Sequence, residues 1–446
     1  MKLSYYNFFI ENNNIVVGYN AVSNCFITMT KPKYQYFLKY SDKLDLLEKE
    51  NSKLLAVLLE NNFIVPSSKN ELNEIRLINK EVCFNKHFDL TILPTMDCNL
   101  KCWYCWENHI PKSVMTTATQ ELIKKFVYRN IKNNSLDSVH IEWFGGEPLL
   151  YFDEVVYPLC CDIKKFTEDN NKCFTTGFIT NATLINDKMI EKLADLEPDF
   201  QITLDGNKAR HNKIRSSKHG TFDTYEQSLS AIYKIVEKLP NSRVKIRINF
   251  DNQTFDNIEE ILKDLDGLNR QNVVVYFERV WQTIKANTYY QKLTDVVYLF
   301  TINNFEVAYG NFMQRSFSCK VDRYQQAAIN YNGKVYKCTG RPFTDGFEEG
   351  ILTHEGEINW SREKLTNRLG LATFENDLCT KCKLLPACMG PCSQKCIELN
   401  WKDFKKQCAL NTLEIPIEEY ILFLFNNLYN NQMINRNSID LLRQKI

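Results

Sequence analysis

Three thiols stand in one short stretch, Cys98-Asn99-Leu100-Lys101-Cys102-Trp103-Tyr104-Cys105, spaced CxxxCxxC. Three is the informative number. A 4Fe-4S cluster has four irons and is ordinarily held by four thiolates, so a loop with three leaves one iron open to another ligand. Zinc knuckles pair one CxxC with a second to close a tetrahedron, and this loop is not built that way. The bland alternative is a chance trio of core cysteines. The apolar run 90–93, followed by Pro94, leads straight into the loop and places it at the end of a strand. That is where an α/β barrel keeps its chemistry.

The chain has 16 cysteines, and they cluster. Eight lie from Cys319 to Cys408, including Cys379-xx-Cys382-x5-Cys388-xxx-Cys392. Reducing compartments keep thiols reduced, so this abundance points to metal or catalysis rather than disulfides. Cys25, Cys83, Cys160, Cys161 and Cys173 have no ligand spacing among themselves and read as buried small apolar residues. No signal-peptide pattern opens the sequence, and the late apolar run 420–425 is too short to span a bilayer. The expected location is the cytoplasm, with no membrane partner. Lys+Arg 55 against Asp+Glu 54 leaves a formal charge of +1, which calls for no nucleic acid.

A length of 446 residues allows about three domains at roughly 150 residues each. Residues 1–85 open with short β-rich runs at 5–10, 15–19 and 25–28. Helical periodicity follows at 34–40, 44–48 and 54–59, then a short strand at 63–66. From 86 to 310 strand and helix alternate, with strands expected at 89–93, 138–144, 174–180, 199–204, 243–250 and 273–279. Such alternation is the pattern of parallel α/β architecture. The cysteine-rich stretch occupies 311–410, and 411–446 reads as one or two amphipathic helices.

With an aromatic before its last Cys, the CxxxCxxC loop resembles the signature of the radical S-adenosylmethionine (SAM) superfamily. The resemblance implies an open (β/α)6 partial TIM barrel. It also implies that Cys98, Cys102 and Cys105 hold a 4Fe-4S cluster whose fourth iron is chelated by SAM. One electron then cleaves SAM to methionine and a 5′-deoxyadenosyl radical, which abstracts hydrogen from substrate. Gly145-Gly146-Glu147-Pro148 resembles the family's GGEP motif, whose backbone meets the SAM amino group. Thr203-Leu204-Asp205-Gly206, with His211 and Arg215, resembles the SxDGxxxxHxxxR segment of the peptide-modifying and sulfatase-maturing branch. There Thr203 and Arg215 would grip the SAM carboxylate and His211 would be structural. Tyr104 and Asn181 complete the expected SAM site. Arg247 and Asn249 share one face of a strand, with access to SAM or a structural role as alternatives.

The second cysteine field resembles the SPASM domain of peptide-, sulfatase- and quinone-cofactor-maturing enzymes. Carried over by position, Cys379, Cys382, Cys388 and Cys408 ligate one auxiliary 4Fe-4S cluster. Cys319, Cys338 and Cys392 hold another, with an open iron or Cys396 as its fourth ligand. A zinc site is the alternative for the CxxC part. Residues 1–85 resemble the winged-helix peptide-recognition module found ahead of ribosomal-peptide maturases, with an ordinary N-terminal cap as the alternative.

The fold expected is therefore α/β: a partial barrel between a winged-helix-like domain and an iron-sulfur SPASM domain. The expected activity is modification of a ribosomally made precursor peptide recognised through its leader, most simply a crosslink or thioether. The cofactors would be SAM and three 4Fe-4S clusters, reduced by an electron donor such as flavodoxin or ferredoxin. An anaerobic sulfatase-maturing enzyme forming formylglycine is the nearest rival, and the 97 residues ahead of Cys98 favour the leader-peptide maturase. A non-catalytic iron-sulfur electron-transfer protein is the rival of another class.

Overall fold

The computed structural model describes residues 1–133, 135–220, 222–251, 253–280, 282–283, 289–309, 319–412 and 416–434. They fall into two compact units, one of residues 1–84, 310–323 and 368–446, the other of 85–309 and 324–367. The cysteine-rich stretch 311–410 is thus shared between them.

In the larger unit all six expected strands are present and adjacent. In sheet order they are Val273–Arg279, Val244–Phe250, Asp199–Thr203, Cys173–Thr180, Ser138–Trp143 and His87–Leu93, every pair parallel. Parallel neighbours require crossovers, supplied by helices such as Thr117–Lys132, Asp187–Ala194 and Thr224–Lys238. Each of these starts where Thr116, Asn186 or Asp223 accepts a backbone N–H in the first turn. Sandwiched strands read as unbroken apolar runs, and Val273 to Phe277 are all buried. Two further parallel strands extend the expected six. Glu306–Tyr309 lies beside Val273–Arg279, and Gln326–Asn330 lies beside His87–Leu93. An antiparallel meander of Lys334–Tyr336, Gly350–Leu352 and Ile358–Trp360 brings the sheet to 11 strands.

The smaller unit contains an antiparallel meander of Asn7–Asn12, Ile15–Asn20 and Cys25–Thr30. Its alternation sorts the faces: Phe9, Gly18 and Ile27 are cross-strand neighbours on one face, Phe8, Tyr19 and Phe26 on the other. The first face packs with Phe37, Leu47, Leu55, Leu58 and Phe63, drawn largely from helices Lys31–Tyr40, Leu44–Glu50 and Ser52–Glu60. On the second, the Phe26 ring meets Phe425 of helix Ile417–Ile434 at 5.8 Å. That helix falls in the expected C-terminal helical tail, and residues 435–446 lie outside the described residues.

Helix Glu71–Cys83 was not expected from the sequence. It buries little beyond Ile75, Glu71 and Cys83, so its apolar periodicity is faint. Its Arg76 forks onto Glu375 at 2.7 and 2.8 Å, and the Tyr5 hydroxyl donates to the Lys381 carbonyl at 2.6 Å. The N-terminal segment and the part of the cysteine field from 368 onward therefore belong to one unit. Of the five cysteines expected to be buried, Cys83 and Cys160 are. Cys25 and Cys161 are half-buried and Cys173 is exposed, because it opens a strand at the solvent end. No helix among the described residues is long and apolar enough to cross a membrane.

Candidate active site

The Cys98–Cys105 loop leaves the C-terminal end of strand His87–Leu93, and both its ends are tied to the turn that follows strand Ser138–Trp143. The Glu147 N–H donates to the Asp97 carbonyl at 2.8 Å, just before the first thiol. The Gly146 N–H donates to Glu107 Oε2 at 2.6 Å, just after the last. Such close approach needs glycine. Gly146 has φ +49°, and a Cβ there would lie 2.0 Å from the Asp97 carbonyl oxygen. Burial pushes the Glu107 carboxyl up to about 7, against the pull of the Gly146 N–H, and the neighbouring Glu147 charge adds to the rise.

Glu147 is fully buried and its oxygens are engaged within the protein. Oε1 accepts from Thr180 Oγ1 at 2.6 Å and Leu149 N–H at 3.1 Å, while Oε2 accepts the Asn181 N–H at 2.8 Å. The carboxylate therefore ties the end of strand Ser138–Trp143 to the end of Cys173–Thr180. Asn181 in turn faces the thiol loop: its Nδ2 donates to Asn99 Oδ1 at 2.8 Å, and its Oδ1 accepts from Thr183. Of the residues expected around SAM, these two hold the scaffold.

Arg215 is buried on the other flank. Strand Arg215–Ser217 pairs with Leu100–Cys102 so that Arg215 stands opposite Cys102. Its guanidinium donates to the Tyr104 hydroxyl at 2.6 Å and lies 3.7 Å from Asp205. Tyr104 donates to Asp205, whose Oδ1 accepts the Asn249 N–H at 2.9 Å, and Arg247 Nε donates to Asn249 Oδ1 at 2.8 Å. Burial works against the Arg215 charge, but Cys102, Tyr104 and Asp205 around it raise its pKa well above the usual value. Burial also raises the Asp205 pKa, opposed by Arg215 and by its hydrogen bonds. His211 Nδ1 accepts the Asp205 N–H at 3.2 Å, its Nε2 is buried with no hydrogen-bond partner among the described residues, and burial and Arg215 hold it well below its usual range.

These residues fit a bound amino acid cofactor beside an iron-sulfur cluster. Arg215 Nε is buried and has no hydrogen-bond partner among the described residues, a donor aimed at no protein acceptor. The Thr203 hydroxyl likewise bonds nothing among them, although Leu204 beside it is tied to Arg247. The donor set is all sulfur. Burial raises the thiols of Cys98, Cys102 and Cys105, and Cys102 adds to the rise at the other two. Thiols held neutral this way release protons when they take metal. Among the described residues no three His, Cys, Asp or Glu side chains converge on a single-ion position; thiolates on separate irons need not.

In the cysteine field, Cys379, Cys382, Cys388 and Cys408 lie within electrostatic reach of one another. Burial pushes the Cys388 thiol up to about 12, a hydrogen bond with the Gly390 backbone lowers it, and the other three raise it. Cys396 is buried one helical turn after Cys392, its N–H bonded to the Cys392 carbonyl at 3.0 Å. Cys319 belongs to the same unit, and Cys338 to the other.

The sequence profile of the Radical SAM superfamily matches residues 92–265. The chain carries a radical SAM domain. The match takes in every strand end from Cys98 to Asn249 described above. Among the chain's relatives, an uncharacterised protein of Methanocaldococcus jannaschii is 31% identical over 182 residues, 40% of this chain and 58% of that protein. The chain thus spans less than two thirds of that relative. A serine-type anaerobic sulfatase-maturating enzyme of Bacteroides thetaiotaomicron is 22% identical over 341 residues, 66% of this chain and 80% of that protein. Two solved structures share the fold. One is anSMEcpe with bound AdoMet and Cp18Cys peptide, at TM-score 0.56 and 21% identity, covering 78% of this chain and 99% of that one. The other is Streptococcus suis SuiB bound to precursor peptide SuiA, at 0.51 and 17%, covering 89% and 96%.

Sequence reasoning missed Asp97, Asn99 and Glu107. Asp97 Oδ1 accepts the Cys98 N–H and Oδ2 the Lys112 N–H, both at 2.8 Å. Their only sequence signal is adjacence to the thiols; their partners come from other strand ends.

Proposed function

We propose that this chain is a radical SAM peptide maturase that modifies a ribosomally made precursor peptide held by its leader. The observation that carries the reading is the edge of the N-terminal meander. Strand Cys25–Thr30 pairs with no strand on its outer side among the described residues. It borders a cleft of about 180 Å³ lined by Ile27, Met29, Lys33, Leu54, Val57 and Leu58. An open edge beside a cleft that mixes apolar side chains with Lys33, Asn51 and Lys53 suits an extended peptide, whose main chain pairs with the strand while alternate side chains enter the cleft. The peptides named with anSMEcpe and SuiB support a peptide substrate.

When bound, the cluster and SAM supply a 5′-deoxyadenosyl radical that takes a hydrogen atom from the substrate. The chain's part is placement. Cys98, Cys102 and Cys105 hold the cluster, the Arg215 guanidinium and Thr203 hydroxyl receive the SAM carboxylate, and the Gly145–Gly146 turn receives its ammonium. Cys379, Cys382, Cys388 and Cys408 hold an auxiliary cluster, and Cys319, Cys338 and Cys392 a second, with Cys396 one turn from Cys392. The electron comes from a flavodoxin or ferredoxin.

The test uses the full chain, reconstituted anaerobically with SAM, reductant and the small peptide encoded beside it. Val57→Asp in the cleft should weaken peptide binding by on the order of tenfold or more and leave SAM cleavage without peptide unchanged. Deleting the N-terminal segment is the poorer test, since Tyr5 and Arg76 brace the cysteine field. Unchanged peptide affinity in Val57→Asp would remove the leader-binding reading. A product aldehyde would favour the sulfatase-type oxidation, and a lost hydrogen pair without an aldehyde a crosslink.

A further inference from the structure

The turn at Gly145 and Gly146 is held from behind, and the hold fixes what it presents in front. In a trans peptide the N–H points opposite to the carbonyl of the preceding residue. The Gly146 N–H is committed to Glu107, so the Gly145 carbonyl points away from Glu107. The Glu147 N–H is committed to the Asp97 carbonyl, so the Gly146 carbonyl points away from Asp97. Neither glycine carbonyl accepts a hydrogen bond among the described residues. Two successive carbonyl oxygens without donors make an acceptor pair for an ammonium, which offers three donors and accepts none.

The two clamps differ in kind. That of Asp97 is a backbone carbonyl and persists whatever side chain stands there. That of Glu107 is a side chain from beyond the last thiol, 39 residues from the turn. Without it the peptide between the glycines, at φ +81° and +49°, has little to stop it rotating. A rotated peptide would turn an N–H toward the cation in place of an oxygen.

We propose that Glu107 is a positioning residue for the cofactor: by holding the Gly146 N–H it presents the Gly145 and Gly146 carbonyls to the ammonium of SAM. The proposal rests on the radical SAM reading of the site. It assigns Glu107 no contact with the reacting atoms and no proton to transfer.

The experiment compares wild type, Glu107→Ala and Glu107→Gln as full-length, anaerobically reconstituted protein. The glutamine keeps a carbonyl acceptor for the Gly146 N–H, and the alanine removes it. SAM affinity is measured by equilibrium binding, the Gly146 amide by hydrogen exchange, and cluster content by iron analysis. Glu107→Ala should weaken SAM binding about tenfold and speed exchange at Gly146, with iron content unchanged. Glu107→Gln should recover most of both. Wild-type SAM affinity in the alanine variant overturns the proposal, as does a glutamine variant no better than alanine. Loss of iron in the alanine variant also overturns it, since Glu107 would then serve the folding of the loop. A wild-type protein that binds no SAM would overturn the radical SAM reading itself, an outcome separate from the others.

Discussion

The radical SAM loop and the cysteine field both gather thiols, yet they are held in opposite ways. Bonds that fix the loop come from far along the chain: Gly146 to Glu107 across 39 residues, Asn181 to Asn99 across 82, Arg215 to Tyr104 across 111. At the field's own cysteines the bonds are local, and the long-range ties reach Glu375 and Lys381 from Arg76 and Tyr5 rather than the thiols themselves. Asn376 accepts the Cys379 N–H, Cys379 accepts the Cys382 N–H, and Leu384 accepts the Cys388 N–H. A loop braced by strand ends inherits the order of the parallel sheet. Short turns carry little stability of their own, so a cluster bound as proposed would supply much of the field's local order.

Removing the iron should expose that difference most visibly. Amide exchange across the field should rise by on the order of a hundredfold, while residues 97–107 change far less. Equal loosening of both regions would contradict the comparison. Next in size is Asp205→Ala, which strands a buried Arg215 and should cost about 3–5 kcal/mol, read from denaturant unfolding, with SAM cleavage lost. Retained stability would mean that the strand-end network does not brace the loop.

Thr203→Ala should have a smaller effect and no structural one. It should raise the SAM concentration needed for cleavage by roughly three- to tenfold, the loss of one hydrogen bond, with Thr203→Ser near wild type. Smallest is Arg76→Ala, which removes a half-exposed ion pair with Glu375 and should cost about 0.2–1 kcal/mol. A larger loss would show that the field leans on the N-terminal segment more than its exposed contacts imply.

Much of the fold was legible because its signals are contiguous. Val273 to Phe277 announces a sandwiched strand, and the β-rich runs at 5–10, 15–19 and 25–28 announce the N-terminal meander. Glu306–Tyr309 and Gln326–Asn330 escaped because four or five residues with little β-branching carry a weak pattern. Helix Glu71–Cys83 escaped because its outer face meets charged partners such as Glu375 rather than a core.

The sequence by itself determined which residues offer chemistry: three thiols at CxxxCxxC, the glycine pair, and an arginine spaced ten residues after Asp205. Tertiary structure alone decided their duties. Glu147 and Asn181, expected at the cofactor, tie neighbouring strand ends together, and Glu107, which nothing in its surroundings singled out, reaches the glycine turn. The reason is physical. Spacing and periodicity act between neighbours in the chain, whereas the direction of a buried hydrogen bond is set by which strands lie side by side, and the order of strands in a parallel sheet is fixed only when the whole sheet has formed.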